Sequence, residues 1–301
     1  MSFESKLLGG VFNLDNFLKY KFCNELNYPS VEREIDVVFS DKEPSVCKAD
    51  LFYNRNSNEY EKYPVLVNIH GGGWIIGDKK NSTGFCLQFA DAGIFVMNIN
   101  YGLPPKYLFP HQMQTSMLAF KWLEKNAEKY NLDLDNVFVS GDSAGSHMTS
   151  LVGAIQSSEE YAKALGVEQS DIDIKGYMMF CGIYDVDFYH YMPIGRSMMQ
   201  EFVGMKNPRE SKYYRYLNPM PFINDKMNNA LIVSGLTDIM TITQSDKLAK
   251  ALSEAGVNYY HYKNKHILNS FHDFMLLAPT KNARDCINFS IDWLKKTVAK
   301  G

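Results

Sequence analysis

A serine flanked by glycines, at the junction of a strand pattern and a helix pattern, is well suited to chemistry. The segment Gly141–Gly145 reads GDSAG and follows the apolar run VFVS. A nucleophilic serine needs a sharp strand-to-helix turn, and such a turn leaves no room for side chains two positions to either side. The spacing therefore predicts that Ser143 is a nucleophile. The alternative is a loop serine that caps the following helix.

Three adjacent glycines follow an earlier apolar run, in the segment His70–Trp74. Glycine backbone can turn its N–H groups toward a ligand at close range, as the stabilisation of an oxyanion requires. A phosphate-binding P-loop would need a lysine after Gly77, but Asp78 stands there, and the glycine spacing does not fit a dinucleotide-binding loop. The glycines thus predict an oxyanion hole, with a turn that binds no ligand as the alternative.

A nucleophilic serine also needs a histidine base and an acid that orients the base. Asp238 follows a short strand pattern, and we expect it to be the acid, although a helix-capping aspartate would explain the residue type as well. His272 precedes an apolar run that could hold it beside the sheet, so it is preferred to His266 as the base. A zinc cluster of these two histidines with His261 is the metal alternative, which no matching acid or helix spacing supports.

The elements that must position these residues alternate between strand and helix patterns. This order is typical of a parallel sheet with helices on both faces. The first two strands, with no helix pattern between them, are expected to form an antiparallel edge hairpin. The predicted strands are Ile35–Ser40, Ala49–Tyr53, Val65–His70, Ile94–Asn98, Val137–Ser140, Gly176–Cys181, Leu231–Ser234 and Val257–Tyr262.

Apolar residues at helical spacing predict three helices most clearly. One contains Met113 and ends near Tyr130, one spans residues 244–255 with Gly256 as its cap, and one spans residues 283–297. The segment 185–229 lacks such a pattern and is rich in Met, Tyr and Pro. Its apolar side chains need the main body to pack against, so we expect a lid over a pocket rather than a second domain.

Composition limits the class of protein. The 301 residues, 46% apolar and 14% aromatic, can bury a large core, which excludes a disordered chain. With 31 basic and 34 acidic residues the net charge is −3, too small to attract nucleic acid or anionic lipid, and no apolar stretch is long enough to span a membrane. Five irregularly spaced cysteines and the absence of a signal-peptide pattern favour a reducing, cytoplasmic location.

Taken together, these motifs resemble the hormone-sensitive-lipase-like (HGGG-type) carboxylesterases of the α/β-hydrolase fold. The resemblance covers roughly residues 35–300 and includes the stretch NINYGLPPKYLFP, although Gly102 replaces a usual arginine and His-Asp-Phe replaces the usual His-Gly-Phe. It implies an oxyanion hole of backbone amides from Gly72, Gly73 and Ala144. It also implies one α/β-hydrolase domain over residues 1–301, with segments 1–34 and 185–229 as a cap.

The resulting expectation is a serine carboxylesterase that hydrolyses small to medium uncharged esters through an acyl-enzyme, without metal or organic cofactor. Trp74, Tyr101, Met199 and Phe202 are expected to contribute to the substrate pocket. The alternatives are a deacetylase of acetylated saccharides, hydrolysis of amides, thioesters or lactones, and a non-catalytic module that binds a ligand. A small-molecule ester is the expected partner, and the sequence leaves a homodimer open.

Overall fold

The computed structural model describes residues 27–277 and 279–299. In this part of the chain, eight strands form one sheet with the order β1-β2-β4-β3-β5-β6-β7-β8. All eight predicted strands are present, with ends that differ by up to five residues. They are β1 (Val31–Val38), β2 (Lys48–Asn54), β3 (Tyr63–Ile69), β4 (Phe95–Ile99), β5 (Leu132–Asp142), β6 (Ile174–Phe180), β7 (Asn229–Gly235) and β8 (Tyr259–Asn264).

The sheet is antiparallel only at one edge. Strand β1 pairs with β2 and β2 with β4 in antiparallel register, whereas the strands from β4 to β8 pair in parallel. This confirms the edge hairpin and the mostly parallel sheet expected for an α/β-hydrolase. Because the carboxyl ends of parallel strands lie at one edge, the loops after β3, β5, β7 and β8 are brought together there.

Helices cover both faces of the sheet. Successive strand residues point to opposite faces, so Val65 and Val67 belong to one hydrophobic cluster and Leu66 to the other. The first cluster includes residues from α2–α5 and α8, and the second includes residues from α1 and α9. The helices are α1 (Thr83–Asp91), α2 (His111–Ser116), α3 (Leu118–Tyr130), α4 (Ala144–Ser157), α5 (Glu159–Leu165), α6 (Val186–His190), α7 (Pro193–Val203), α8 (Gln244–Glu254) and α9 (Lys281–Val298).

The helix predicted to end near Tyr130 is in fact two helices, α2 and α3, with Met117 between them. The Thr115 hydroxyl donates to the carbonyl oxygens of His111 and Gln112, and such side-chain bonds bend helices because they compete with the backbone. The other two predicted helices agree with α8 and α9. Gly256, one position beyond the C-cap residue Ala255 of α8, has a left-handed φ of 74°, as its predicted capping role requires.

The segment 185–229 packs on the main body rather than forming a core of its own. It contains α6, α7 and three short 3₁₀ helices, at Pro208–Glu210, Tyr214–Leu217 and Met220–Phe222. The side chain of Phe202 in α7 stacks on Trp74, and its carbonyl oxygen accepts a hydrogen bond from the backbone of Phe109. Of the N-terminal cap segment, residues 1–26 lie outside the described residues, and residues 31–34 belong to β1.

The described chain carries four cysteines, all of them buried and with free thiols: Cys47, Cys86, Cys181 and Cys286. Burial raises the pKa of each thiol, to about 11 for Cys47. These thiols are therefore protonated at neutral pH and act as small apolar side chains. Within residues 27–277 and 279–299, no helix combines the length and apolar character needed to cross a bilayer.

Candidate active site

Ser143 lies at a strained turn between β5 and α4. Its backbone has φ 51° and ψ −114°, a conformation that a non-glycine residue adopts only when the surrounding structure imposes it. The backbone N–H of Ser143 donates to the carbonyl oxygen of Phe180 in the neighbouring strand β6, which helps to hold the turn. Helix α4 starts at the next residue, so its N-terminal end faces the serine hydroxyl.

The two glycines of this turn are required by close backbone contacts. A Cβ atom at Gly145 would lie 2.0 Å from the carbonyl oxygen of Ile69, and one at Gly141 would lie 2.4 Å from the carbonyl of Gly145. Both contacts are with backbone atoms, which cannot move aside as a flexible side chain can. The turn therefore packs directly on the end of β3, as the glycine spacing predicted.

The structure brings Ser143, His272 and Asp238 together in one hydrogen-bonded line. His272 Nε2 lies 2.8 Å from Ser143 Oγ, and His272 Nδ1 lies 3.0 Å from Asp238 Oδ2. The serine and the histidine are 129 positions apart in the chain. All three side chains are largely buried, with His272 the most accessible at 15% of its side-chain surface. This geometry suits proton transfer from a serine hydroxyl to an imidazole.

Asp238 is held in its charged form by its neighbours. Burial alone would raise the pKa of its carboxyl group, but hydrogen bonds with His272 and Thr241 outweigh burial, and the pKa is lowered. Thr241 donates both its hydroxyl, at 2.6 Å, and its backbone N–H, at 3.2 Å. Thr241 could not be recognised from the sequence, since a threonine three positions after an aspartate is a common turn pattern.

The glycine run lies beside the same turn. Gly72 and Gly73 have φ values of 120° and 59°, in the region that glycine tolerates best. A Cβ atom at Gly73 would lie 1.9 Å from Cε of Met198, a residue of α7, so this insert helix closely covers the loop. Ala144 is the first residue of α4, where a backbone N–H has no acceptor within the helix.

The glycine loop is supported by His70 and Tyr101. Their rings stack with centroids 4.3 Å apart, and the Tyr101 hydroxyl donates to the carbonyl oxygen of His70. Burial lowers the pKa of His70 to about 4, so its imidazole is neutral at physiological pH. In this arrangement His70 supports the glycine loop and remains uncharged.

The four predicted pocket residues are all buried in packed surroundings. Trp74 stacks on Phe202 at 5.5 Å and donates its indole N–H to His147, while Tyr101 stacks on His70. Met199 is also buried. The contacts of Trp74 and Tyr101 support the glycine loop, and the role of all four residues in substrate binding stays a prediction.

The two other late histidines lie elsewhere. His266 is exposed, and His261 makes a 2.8 Å contact from Nε2 to Ser234 Oγ on the neighbouring strand. Burial and the nearby charge of Lys263 lower the pKa of His261 to about 4. No group of three His, Cys, Asp or Glu side chains among the described residues is arranged to hold a metal ion.

The family was identified from a match over residues 50–252, about two thirds of the chain, with the family model described as BD-FAE. The chain belongs to the BD-FAE family. The matched region contains the glycine run, Ser143 and Asp238, and it ends before His272.

Two curated relatives match a somewhat larger part of this chain, at low sequence identity. An alpha/beta hydrolase of Acanthamoeba polyphaga mimivirus is 25% identical over 75% of this chain and 65% of its own length. Esterase LipQ of Mycobacterium tuberculosis is 26% identical over 73% of this chain and 52% of its own length. The chain thus spans less than two thirds of the length of these relatives. Together with the BD-FAE match, these relatives confirm the resemblance to the hormone-sensitive-lipase-like carboxylesterases of the α/β-hydrolase fold.

Solved structures support the fold. Esterase B from Lactobacillus rhamnosis, in a structure with a tributyrin phosphonate, superposes with a TM-score of 0.88 at 20% identity. The match covers 98% of this chain and 94% of that protein. The α/β-hydrolase fold expected from the sequence is therefore confirmed.

Proposed function

We propose that this protein hydrolyses carboxylic esters through a covalent acyl-enzyme formed on Ser143. The observation that carries the proposal is the line of contacts from Ser143 Oγ to His272 Nε2, at 2.8 Å, and from His272 Nδ1 to Asp238, at 3.0 Å. Esterase names among the relatives support the same reaction class. The metal alternative and the non-catalytic alternative have no comparable geometric support.

In the first half of the proposed reaction, Ser143 Oγ attacks the carbonyl carbon of the ester while His272 Nε2 accepts the hydroxyl proton. Asp238 keeps the other ring nitrogen protonated and stabilises the imidazolium that results. His272 then gives its proton to the alkoxy oxygen, the C–O bond breaks and the alcohol leaves. The acyl group remains as an ester on Ser143.

In the second half, a water molecule replaces the alcohol. His272 accepts a proton from this water as its oxygen attacks the acyl carbon, and then returns the proton to Ser143 Oγ as the carboxylic acid leaves. The negative oxygen formed in each half would be stabilised by backbone N–H groups of Gly72, Gly73 and Ala144. Removal of one such donor from an oxyanion hole costs about 3 kcal/mol of transition-state stabilisation in enzymes of this chemistry.

The surroundings of the site favour small to medium uncharged esters. The loops that carry Asp238 and His272 expose a set of large apolar side chains, namely Leu236, Ile239, Ile242, Ile267, Leu268 and Phe271. Ile239 and Phe271 are the direct chain neighbours of Asp238 and His272, and apolar side chains at these positions would accept an uncharged acyl or alcohol group at little desolvation cost. In this proposal the insert 185–229 forms a cap over the pocket.

The test combines a fluorophosphonate probe with a series of p-nitrophenyl esters from acetate to octanoate. Ser143 is expected to be labelled, the shorter esters to be cleaved fastest, and Ser143→Ala to abolish both signals while the fold is kept. His272→Ala should lose at least 1,000-fold in turnover, by analogy with other triads, whereas the matched variant His266→Ala should match the wild type. A wild-type protein that neither labels nor releases nitrophenol would instead be a non-catalytic binding module.

A further inference from the structure

His147 is a buried histidine that the proposed reaction does not use. It contacts both the turn at Ser143 and the glycine loop, the latter through Trp74. It lies one helical turn after Ser143 in α4, and its backbone N–H donates to the Ser143 carbonyl oxygen. Its side chain is fully buried. Its Nδ1 atom lies 3.0 Å from the indole Nε1 of Trp74, and its Nε2 atom lies 2.6 Å from the carbonyl oxygen of Leu217.

The chemistry of these partners decides which ring nitrogen carries the proton. An indole N–H can only donate, so Nδ1 of His147 must accept. A carbonyl oxygen can only accept, so Nε2 must donate to Leu217. Only one neutral tautomer satisfies both contacts, and burial, which lowers the pKa of His147 to about 4, keeps the ring neutral at physiological pH. Both ring nitrogens of His147 are therefore engaged, Nδ1 as an acceptor and Nε2 as a donor.

This link completes a two-point attachment of the glycine loop to the nucleophile turn. At the start of the loop, the backbone N–H of Gly71 donates to Oδ1 of Asp142, directly before Ser143. At its end, Trp74 donates to His147, directly after the first turn of α4. The amides of Gly72 and Gly73 lie between these points, and the third oxyanion amide belongs to Ala144 on α4.

We propose that His147 is a positioning residue that sets the spacing between the glycine-loop amides and the amide of Ala144, and that ties the insert to the same point through Leu217. The inference rests on the proposed function, because it assigns a role within that oxyanion hole. His147 touches no reacting atom. Its effect would appear when negative charge develops on the carbonyl oxygen, and much less when neutral substrate binds.

Substitutions can separate the two contacts of His147. His147→Leu removes both hydrogen bonds, whereas His147→Asn keeps an acceptor near the position of Nδ1. Trp74→Phe removes the same bond from the other side. Tyr161→Phe is the matched control, because the Tyr161 hydroxyl, on α5, donates to the carbonyl oxygen of Tyr216, next to Leu217, rather than to the glycine loop.

The experiment measures kcat and KM for p-nitrophenyl butyrate and the inhibition constant of a trifluoromethyl ketone, which forms a tetrahedral adduct with a serine. Activities are normalised to the amount of Ser143 that a fluorophosphonate labels at saturation. His147→Leu is expected to lower kcat about tenfold, to weaken the ketone by a similar factor and to leave KM nearly unchanged. This loss is a fraction of the roughly 100- to 1,000-fold that follows complete removal of an oxyanion donor.

Recovery of kcat by asparagine and the kcat of a double variant give the remaining evidence. His147→Asn should recover most of kcat, and Trp74→Phe should lower kcat as His147→Leu does. The double variant His147→Leu with Trp74→Phe should be no slower than either single variant, because both changes remove the same hydrogen bond. Tyr161→Phe should keep the wild-type kcat. If His147→Asn is as slow as His147→Leu, or if the variants lose only thermal stability while kcat per labelled serine is unchanged, His147 is a core residue without a positioning role. A wild-type protein without labelling or hydrolysis would overturn the proposed function first.

Discussion

The carboxylate of Asp273 lies 3.4 Å from Nε2 of His272, the same ring nitrogen that contacts Ser143. Asp273 is buried, and its backbone is left-handed, with φ 56° and ψ 32°. The family that the sequence resembles has glycine here, which adopts this conformation without strain. His272 is thus placed between two carboxylates, Asp238 on one nitrogen and Asp273 near the other.

Replacement of Asp273 by asparagine is expected to slow the reaction. A negative charge within 4–6 Å stabilises an imidazolium, and in the proposed reaction His272 becomes an imidazolium when it accepts the serine proton. Asparagine keeps the size and tolerates the left-handed backbone, so the change mainly removes charge. We expect kcat/KM for p-nitrophenyl butyrate to fall about three- to tenfold, with Asp225→Asn, an exposed carboxylate, as the control. Higher activity in Asp273→Asn would instead mean that Asp273 competes with Ser143 for the histidine.

Gly145→Ala is expected to destabilise the protein in a way that no second substitution relieves. The new Cβ atom would lie 2.0 Å from the carbonyl oxygen of Ile69, which belongs to the central strand β3. Relief of this contact needs movement of α4 relative to the sheet, and the free energy of unfolding should fall by about 2–3 kcal/mol. Urea unfolding measures the loss. An unchanged midpoint would show that the turn at Ser143 does not pack on β3 as closely as described.

Gly73→Ala should differ, because its new Cβ atom would meet the flexible end of Met198. Gly73→Ala also carries a strain of about 1 kcal/mol from the positive φ. Met198→Ala leaves a cavity in the wild type, which the new methyl group at residue 73 would partly fill, so Met198→Ala should cost less stability in the Gly73→Ala variant than in the wild type. Urea unfolding of the wild type, the two single variants and the double variant checks this, and an equal cost of Met198→Ala in both backgrounds would contradict the contact between α7 and the glycine loop.

The buried histidines predict a loss of stability in mild acid. Burial lowers the folded-state pKa values of His70 and His147 to about 4, below the value of about 6.5 in the unfolded chain. Between these values the unfolded state binds protons that the folded state does not. Each histidine therefore contributes stability that is complete above about pH 6.5 and is lost as the pH falls toward 4.

From pH 7.5 to pH 5 this loss amounts to about 2 kcal/mol for each of these histidines. Urea unfolding at the two pH values should give a smaller loss for His147→Asn than for the wild type, whatever the stability of the variant at pH 7.5. The exposed His266 offers a control, since His266→Asn should lose as much as the wild type. An equal loss in His147→Asn and wild type would be evidence that His147 is already protonated in the fold.

Lys79, five residues after the glycine loop, forms a buried ion pair, which predicts that removing its buried partner costs more stability than removing its exposed partner. Lys79 Nζ lies 2.7 Å from Asp50 and 2.8 Å from Asp36, and both Lys79 and Asp50 are about 98% buried. Although burial alone would lower it, the pKa of Lys79 is raised by these two carboxylates. Asp50→Ala should cost about 3 kcal/mol because it leaves a buried ammonium only partly paired.

The half-exposed Asp36 provides the comparison, and Asp36→Asn should cost about 1 kcal/mol or less. The double variant Asp50→Ala with Lys79→Met should be more stable than Asp50→Ala alone, because the unpaired charge has been removed. Urea unfolding of the four proteins at pH 7 measures these differences. Equal losses at Asp36 and Asp50 would contradict the assignment of the buried pair.

Most of the sheet was predictable because its strands are buried on both faces and appear as continuous apolar runs. The largest difference is at the start of β5, which begins at Leu132 rather than Val137 because its first residues are mostly polar, and the next largest is at the edge strand β1. Strand β1 begins at Val31 rather than Ile35, since an edge strand exposes one face and Ile35 itself points to solvent. The break at Met117 was not predicted, because it depends on hydrogen bonds of Thr115 that leave the apolar periodicity intact.

By itself the sequence determined which local turns are possible. The spacing of Gly141 and Gly145 around Ser143, and the three glycines after β3, are local because a backbone conformation depends mainly on its own residues. Only the tertiary structure decided which histidine meets the serine, how Asp273 lies against that histidine, and that His147 joins Trp74 to Leu217. Those relationships depend on distances between residues up to 129 positions apart, which are set by the packing of the whole sheet.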